Sequence, residues 1–147
     1  YVCIPKALQG FNVWALTAGI GCGLVIDTLL LVNNYRDRDN DKRDGKITLV
    51  VRIGARRTEQ LYLYLPTLAE IIIFSIVMFN TSKPLLAAAI FIVLSALYFI
   101  PHTRTTNKLV AINHGKALNM VLGMTARDML VFGLVSALQI ILLYNPV

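Results

Sequence analysis

Four apolar blocks divide this chain, at residues 11–32, 61–79, 85–100 and 129–144. They restrict its fold more than any other feature. The helices of a soluble all-helical core each keep a polar face toward water. The stretch "LLAAAIFIVLSALYFI", residues 85–100, has almost none. The first two blocks approach the roughly 20 residues that a bilayer crossing needs. The last two are shorter and borrow flanking residues such as Pro84 or 125–128. Charged residues make up 15% of the chain, against roughly 25% in soluble domains. The pattern therefore predicts an all-α membrane protein with four transmembrane helices, at about 11–33, 60–79, 84–101 and 126–145.

The placement of Lys and Arg orients these spans. The connection 34–59 holds Arg36, Arg38, Lys42, Arg43, Lys46, Arg52, Arg56 and Arg57. The connection 102–125 holds Arg104, Lys108 and Lys116, with Arg127 just beyond it. The short link "NTSKP" has only Lys83, and the tail "YNPV" has no cation. Both long connections are thus expected on the cytoplasmic side, with both chain ends outside. The net charge of +6 follows mainly from this topology. It gives no reason to expect a nucleic-acid partner, which would need a basic face on a soluble fold. Cys3 and Cys22 are far apart and imply no disulfide framework. Cys22, between two glycines, reads as a small packing residue. The apolar stretch at 11–32 is too long for a signal-peptide core and has no small-residue cleavage site behind it.

Charge concentrates in "VNNYRDRDNDKRDGKITLVVRIG", residues 32–54. Asp37, Asp39, Asp41 and Asp44 alternate there with Arg36, Arg38, Lys42, Arg43 and Lys46. If the first helix continues to a stop at Gly45, then Asp27, Asn34, Asp37, Asp41 and Asp44 share roughly a quarter of its circumference. Asp37 and Asp41 are then i, i+4 neighbours whose like charges repel by a few tenths of a kcal/mol. A divalent cation would reverse that sign. Mg²⁺ suits hard oxygen ligands and commonly takes one or two carboxylates together with substrate phosphates. The neighbouring cations would meet the remaining phosphate charge. A calcium loop starting at Asp37 fails, because its sixth position is Lys42 rather than Gly and its twelfth is Thr48 rather than Glu. The plainer alternative is a solvated charged segment that only orients a four-helix binding or scaffold protein.

The pattern NNxRDxxxDxxxGKxTLxVRxG, from Asn33 to Gly54, resembles the second aspartate-rich motif of the UbiA-type intramembrane prenyltransferases. Within that family it is most similar to the 1,4-dihydroxy-2-naphthoate polyprenyltransferases of menaquinone synthesis. "LNMVLGMTAR", residues 118–127, is similar to the C-terminal region of the same enzymes. The resemblance implies a helical bundle around a cavity capped by cytoplasmic loops, of which this chain would form the C-terminal part. It implies Mg²⁺ held by Asp37 and Asp41, diphosphate contacts from Arg36, Lys46 and Arg52, and a site shaped by Asn33 and Asn34. The implied partners are a polyprenyl diphosphate, an aromatic acceptor (dihydroxynaphthoate) and the lipid bilayer, here the bacterial inner membrane. Within the same fold, 4-hydroxybenzoate is an alternative acceptor. The first aspartate-rich motif, an NDxxD-like segment, has no match outside residues 33–54; the string Asn40–Asp44 has that form but lies within the second motif.

Other residues carry weaker signals. Asp27 and Glu70 fall inside expected spans, where a carboxylate is costly and tends to be functional; a protonated, hydrogen-bonded bundle residue is the competing reading. His102 and His114 stand isolated in a basic loop, and imidazole is not a natural Mg²⁺ ligand. Trp14 and Tyr144 suit the outer interface. Tyr62, Tyr64 and Tyr98 suit anchors at the cytoplasmic ends, with lining the cavity as the alternative; Pro66 is expected to kink its helix, and Lys116 to serve topology or the site.

Overall fold

The computed structural model describes residues 13–143; Cys3 and Tyr144 lie outside them. Five α-helices follow one another: α1 (Val13–Arg43), α2 (Leu49–Ile53), α3 (Ala55–Phe79), α4 (Pro84–Ile112) and α5 (Asn119–Leu143). A 3₁₀ turn, Lys116–Leu118, leads into α5. There is no strand among the described residues. Four helices are long and apolar enough to cross a membrane. They form a bundle in which α1 packs on α3 and α5, and α4 closes the other side against the same two helices.

The distribution of polarity suits lipid outside. Ile26, Leu30, Ile92, Val93, Leu130, Leu134 and Ile141 are all more than half exposed. The interior, by contrast, holds Thr28, Glu70, Ser95, His102, Thr105, Asp128, Ser136 and Gln139. In hydrocarbon a polar group has no water to turn to, so it is stable only against another polar group inside the bundle. Two apolar clusters complete the packing. One, including Ala69, Ile73, Phe91 and Phe132, fills the bundle. The other, around Tyr35, Val50, Tyr62, Leu109 and Leu118, draws all five helices together at the basic end.

Helix α1 has 31 residues, so it is about 46 Å long and outruns an apolar layer of about 30 Å. Its charged end therefore continues as rigid helix beyond the span. It stops at Gly45, whose positive φ of 75° most side chains avoid. The Lys46 N–H then closes on the Asp41 carbonyl at 2.8 Å, the long-reach bond of a glycine-terminated helix. Thr48 caps α2 by accepting from the Val51 N–H at 3.3 Å.

Several expectations need correction. The stretch 102–125 is not a loop: α4 runs through to Ile112, and α5 begins at Asn119. Hydropathy falls after Ile100, but the hydrogen-bond ladder does not end there, and Thr105 and Thr106 bond back one turn to Pro101 and His102. The third helix starts at Ala55, ahead of the expected span start near residue 60, and holds Pro66 within its length. Tyr62 and Tyr98 are buried rather than interfacial. They sandwich His102, with ring centroids 4.9 and 5.3 Å from the imidazole. His102 thus belongs to a helix interior, not to a loop. Tyr64 is exposed. Cys22 faces outward and does not pack in the bundle. Trp14 stacks on Phe79 at 6.0 Å, joining the ends of α1 and α3.

Asp128 is the polar hub of the basic half. It accepts from the Thr105 hydroxyl of α4 and from Arg127 at 2.7 Å, while Tyr62 pairs with Thr125 at 2.8 Å one turn earlier. Asp128→Ala should strand these partners and lower stability by about 1–3 kcal/mol. Leu134→Ala, on the lipid face, should stay within about 0.5 kcal/mol. Thermal unfolding in detergent measures both; the reverse order would contradict this assignment of the interior.

Candidate active site

Where α1 emerges from the bundle, its side chains meet the turn between α4 and α5. Arg36 is the junction. Its Nε and Nη2 donate to the two oxygens of Asp37 at 2.8 and 2.6 Å. Nη2 also reaches Asn33 Oδ1 at 3.0 Å, and Nη1 reaches Asn119 Oδ1 at 2.9 Å. A guanidinium presents donors in a planar fork, so one side chain can bind a carboxylate and two amides. Beside it opens a polar cavity of about 310 Å³, lined by Arg36, Asp37 and Asn40 of α1 and by Gly115, Lys116 and Asn119 across from them. One carboxylate thus faces a cavity bounded by two cations and two amides. With two cations to one carboxylate, the cavity suits an anion better than a neutral ligand.

The turn is held in place from behind. Arg38 donates to the Asn113 carbonyl, to Asn113 Oδ1 at 2.6 Å and to the Tyr35 carbonyl at 3.0 Å. Its guanidinium lies 4.3 Å from the centroid of the Tyr35 ring, in the range of a cation–π contact. The Tyr35 hydroxyl in turn donates to Glu59 of α3. Asn113 ends α4 with φ of 61°, a left-handed conformation that asparagine tolerates better than most residues. Arg38 therefore fixes the turn bearing Lys116 and Asn119 to the helix bearing Arg36 and Asp37.

The seven residues singled out in the sequence are only partly assembled. Asn33, Arg36 and Asp37 come together. Asp41 is buried and does not line the cavity; one oxygen pairs with Lys46 Nζ at 3.3 Å, and the other, Oδ2, is buried with no partner. Lys46 is otherwise exposed. Arg52, on α2, is exposed, and Asn34 is half-buried; neither lines the cavity. Asp39 projects outward, with its side chain 80% exposed. Asn40, Gly115 and the Arg38–Asn113 clasp were not anticipated, and Lys116 and Asn119 only weakly. The basic content of 102–116 was the signal for Lys116, and it reads equally well as topology; for Asn119 the signal was the similarity of residues 118–127 to the family's C-terminal region.

Three comparisons bear on this arrangement. The profile of the UbiA prenyltransferase family matches residues 3–114. The chain is also similar to a 1,4-dihydroxy-2-naphthoate octaprenyltransferase of Mycobacterium tuberculosis, 39% identical over 59 residues. That match takes in 40% of this chain and 20% of the relative, so it spans about a fifth of the relative's length. No solved structure matches.

Breaking the clasp should free the turn before it disturbs the bundle. Arg38→Ala is expected to speed amide hydrogen exchange across 113–118 by about tenfold, the order of one charged hydrogen bond. Asp39→Ala should leave it unchanged. Equal exchange in Arg38→Ala and the parent would show that the turn is held by something else.

Proposed function

The chain belongs to the UbiA prenyltransferase family, and from that premise we propose that it transfers a polyprenyl group from its diphosphate to 1,4-dihydroxy-2-naphthoate. One observation carries the reading. Asp37 sits between Arg36 and the Lys116 turn, at the mouth of an apolar helical bundle. A prenyl diphosphate needs both surroundings at once, a charged end and a greasy one. The name of the Mycobacterium tuberculosis relative supports the naphthoate acceptor. The excess of Lys and Arg on the two long connections supports a site on the cytoplasmic face of a bacterial inner membrane.

The carboxylates suit a divalent ion of one particular kind. Among the described residues, no three His, Cys, Asp or Glu side chains gather where they would hold a metal. Asp41 nevertheless keeps a buried, unpartnered oxygen, and Asp37 presents a carboxylate at the cavity. Two carboxylates that leave further positions to substrate phosphates are a common Mg²⁺ arrangement. Asp37 and Asp41 would hold the ion. Bound there, Mg²⁺ would neutralise diphosphate oxygens and make them a better leaving group.

The chain's own groups do the rest. Arg36 can turn its fork from Asp37 to a phosphate oxygen while Asn33 and Asn119 keep it in position. Lys46 and Arg52 would add positive charge from outside the cavity, and Asn34 a polar side chain on α1, as the motif resemblance implies. As the allylic C–O bond breaks, the electron pair leaves with the diphosphate, and fixed cations stabilise that charge. A ring carbon of the acceptor then forms the new C–C bond, and its carboxylate departs as carbon dioxide. The apolar bundle keeps water from the allylic cation meanwhile.

In the full-length protein, Asp37→Asn and Asp41→Asn should each lower Mg²⁺-dependent prenyl transfer by about a hundredfold or more. Asp39→Asn should stay within about twofold. Assays in membranes with radiolabelled prenyl diphosphate read this directly. Undiminished transfer in both of the first two variants would sink the proposal and favour a non-catalytic binding protein.

A further inference from the structure

The outer seam between α4 and α5 carries cations that the diphosphate site does not use. On α4, Leu97, Arg104 and Lys108 are exposed. Their spacings of seven and four residues put them on one side of the helix. On α5, Met120, Arg127 and Leu134 are exposed and recur every seven residues, forming a second stripe. Two contacts bring the stripes together. Lys108 Nζ lies 3.9 Å from Met120 Sδ, and Arg127 Nη2 lies 3.5 Å from the Thr105 hydroxyl of α4. None of Arg104, Lys108 and Arg127 lines the cavity beside Asp37.

Helix length sets the level of these cations. Arg104 comes 20 residues after Pro84, the start of α4. That is about 30 Å along the helix, the thickness of a hydrocarbon layer. Lys108 lies one turn further out. Arg127 comes 16 residues before Leu143, the last residue of α5, or about 24 Å from it, and its long side chain can reach the boundary. The cations therefore stand where hydrocarbon gives way to headgroups. Leu97 and Leu134 lie deeper on the same stripes, each more than half exposed.

Charge and shape together select the occupant. Asp128 is the carboxylate beside the seam, and both its oxygens are engaged, one by Thr105 and the other by Nε and Nη2 of Arg127. Among the described residues, Arg104 and Lys108 pair with no carboxylate, and Arg127 Nη1 has no partner. Three cations against one engaged carboxylate attract an anion. A free phosphate would meet them but leave the leucines below uncovered. A zwitterionic phospholipid would cover the leucines, but its own cation opposes the attraction of its phosphate. An anionic phospholipid satisfies both conditions.

We propose that the α4–α5 seam holds an anionic phospholipid, its phosphate on Arg104, Lys108 and Arg127 and its acyl chains along Leu97 and Leu134. The inference stands apart from the diphosphate site and does not require it.

Native mass spectrometry of the purified full-length protein tests it, with dioleoyl phosphatidylglycerol and dioleoyl phosphatidylcholine supplied in equal amounts in nonionic detergent. The parent should retain phosphatidylglycerol about tenfold over phosphatidylcholine, the order that one or two surface cations supply. Arg104→Gln combined with Lys108→Gln should reduce the preference to within about twofold, while the melting temperature without lipid stays unchanged. Arg56 and Arg57, exposed at the start of α3, provide the control. Arg56→Gln combined with Arg57→Gln removes the same charge and should keep the preference. Inorganic phosphate at matched ionic strength should not displace the lipid; displacement would assign the seam to a free anion instead. Equal retention of the two lipids by the parent would overturn the proposal and show that something else covers the seam. An equal loss in the two double variants would overturn it too, because net charge alone would then govern retention.

Discussion

The hydrogen-bond ladder of α1 continues for about three turns beyond the apolar layer, and the charged end of the molecule depends on that continuity. Asn33, Arg36, Asp37 and Asp41 sit on the same rigid helix that spans the bilayer, so their spacing does not drift as a loop would. Helix α4 emerges on the same side and is nearly as long, with 29 residues. Its end reaches α1 at Asn113, where Arg38 joins the two. Two overlong helices meeting outside the bilayer create a cavity that neither the span nor a surface loop would supply.

Below that level, the bundle solves a different problem. Lipid cannot satisfy a hydroxyl, an amide or a carboxyl, so each polar side chain in the interior requires a partner across a helix–helix contact. Thr105, Asp128 and Arg127 meet this condition at the basic end, as do Tyr62 and Thr125. Glu70, Ser95 and Gln139 meet it only in part. Each network keeps an unpartnered buried atom, His102 Nε2 at the basic end and Glu70 Oε1 and Gln139 Oε1 deeper in the span. A contrast holds between the two aspartates of the motif. Asp37 is paired at the cavity, while Asp41 is tucked against Lys46 with an oxygen to spare.

Much of this was legible in residue order, but by distinct routes. Hydropathy marks where a helix lies in lipid, which is why the four spans were clear. It does not mark where a helix ends, so 102–112 passed for a loop although it is helix. Glycine conformation is local, and Gly45 marked the end of α1 correctly. Asn33, Arg36 and Asp37 lie within two turns of one helix, and their grouping follows from its pitch. Asn119 is 83 residues from Arg36, and no local rule joins residues so far apart. The tyrosines failed for a related reason. Aromatic residues near a span end suit either an interface or a stack, and only the position of His102 decides for Tyr62 and Tyr98. Cys22 shows that small neighbours alone do not say which side of a helix faces the bundle.

The proposed chemistry requires that Asp37 and a prenyl diphosphate share one divalent ion. Mn²⁺ can replace Mg²⁺ as a spin probe, and pulsed electron paramagnetic resonance detects phosphorus nuclei close to it. With the purified full-length protein and farnesyl diphosphate, the protein-bound Mn²⁺ signal should carry phosphorus modulation. Asp37→Asn should abolish that bound signal. A spectrum identical to Mn²⁺–farnesyl diphosphate in detergent alone, or one indifferent to Asp37→Asn, would contradict the site described for this chain.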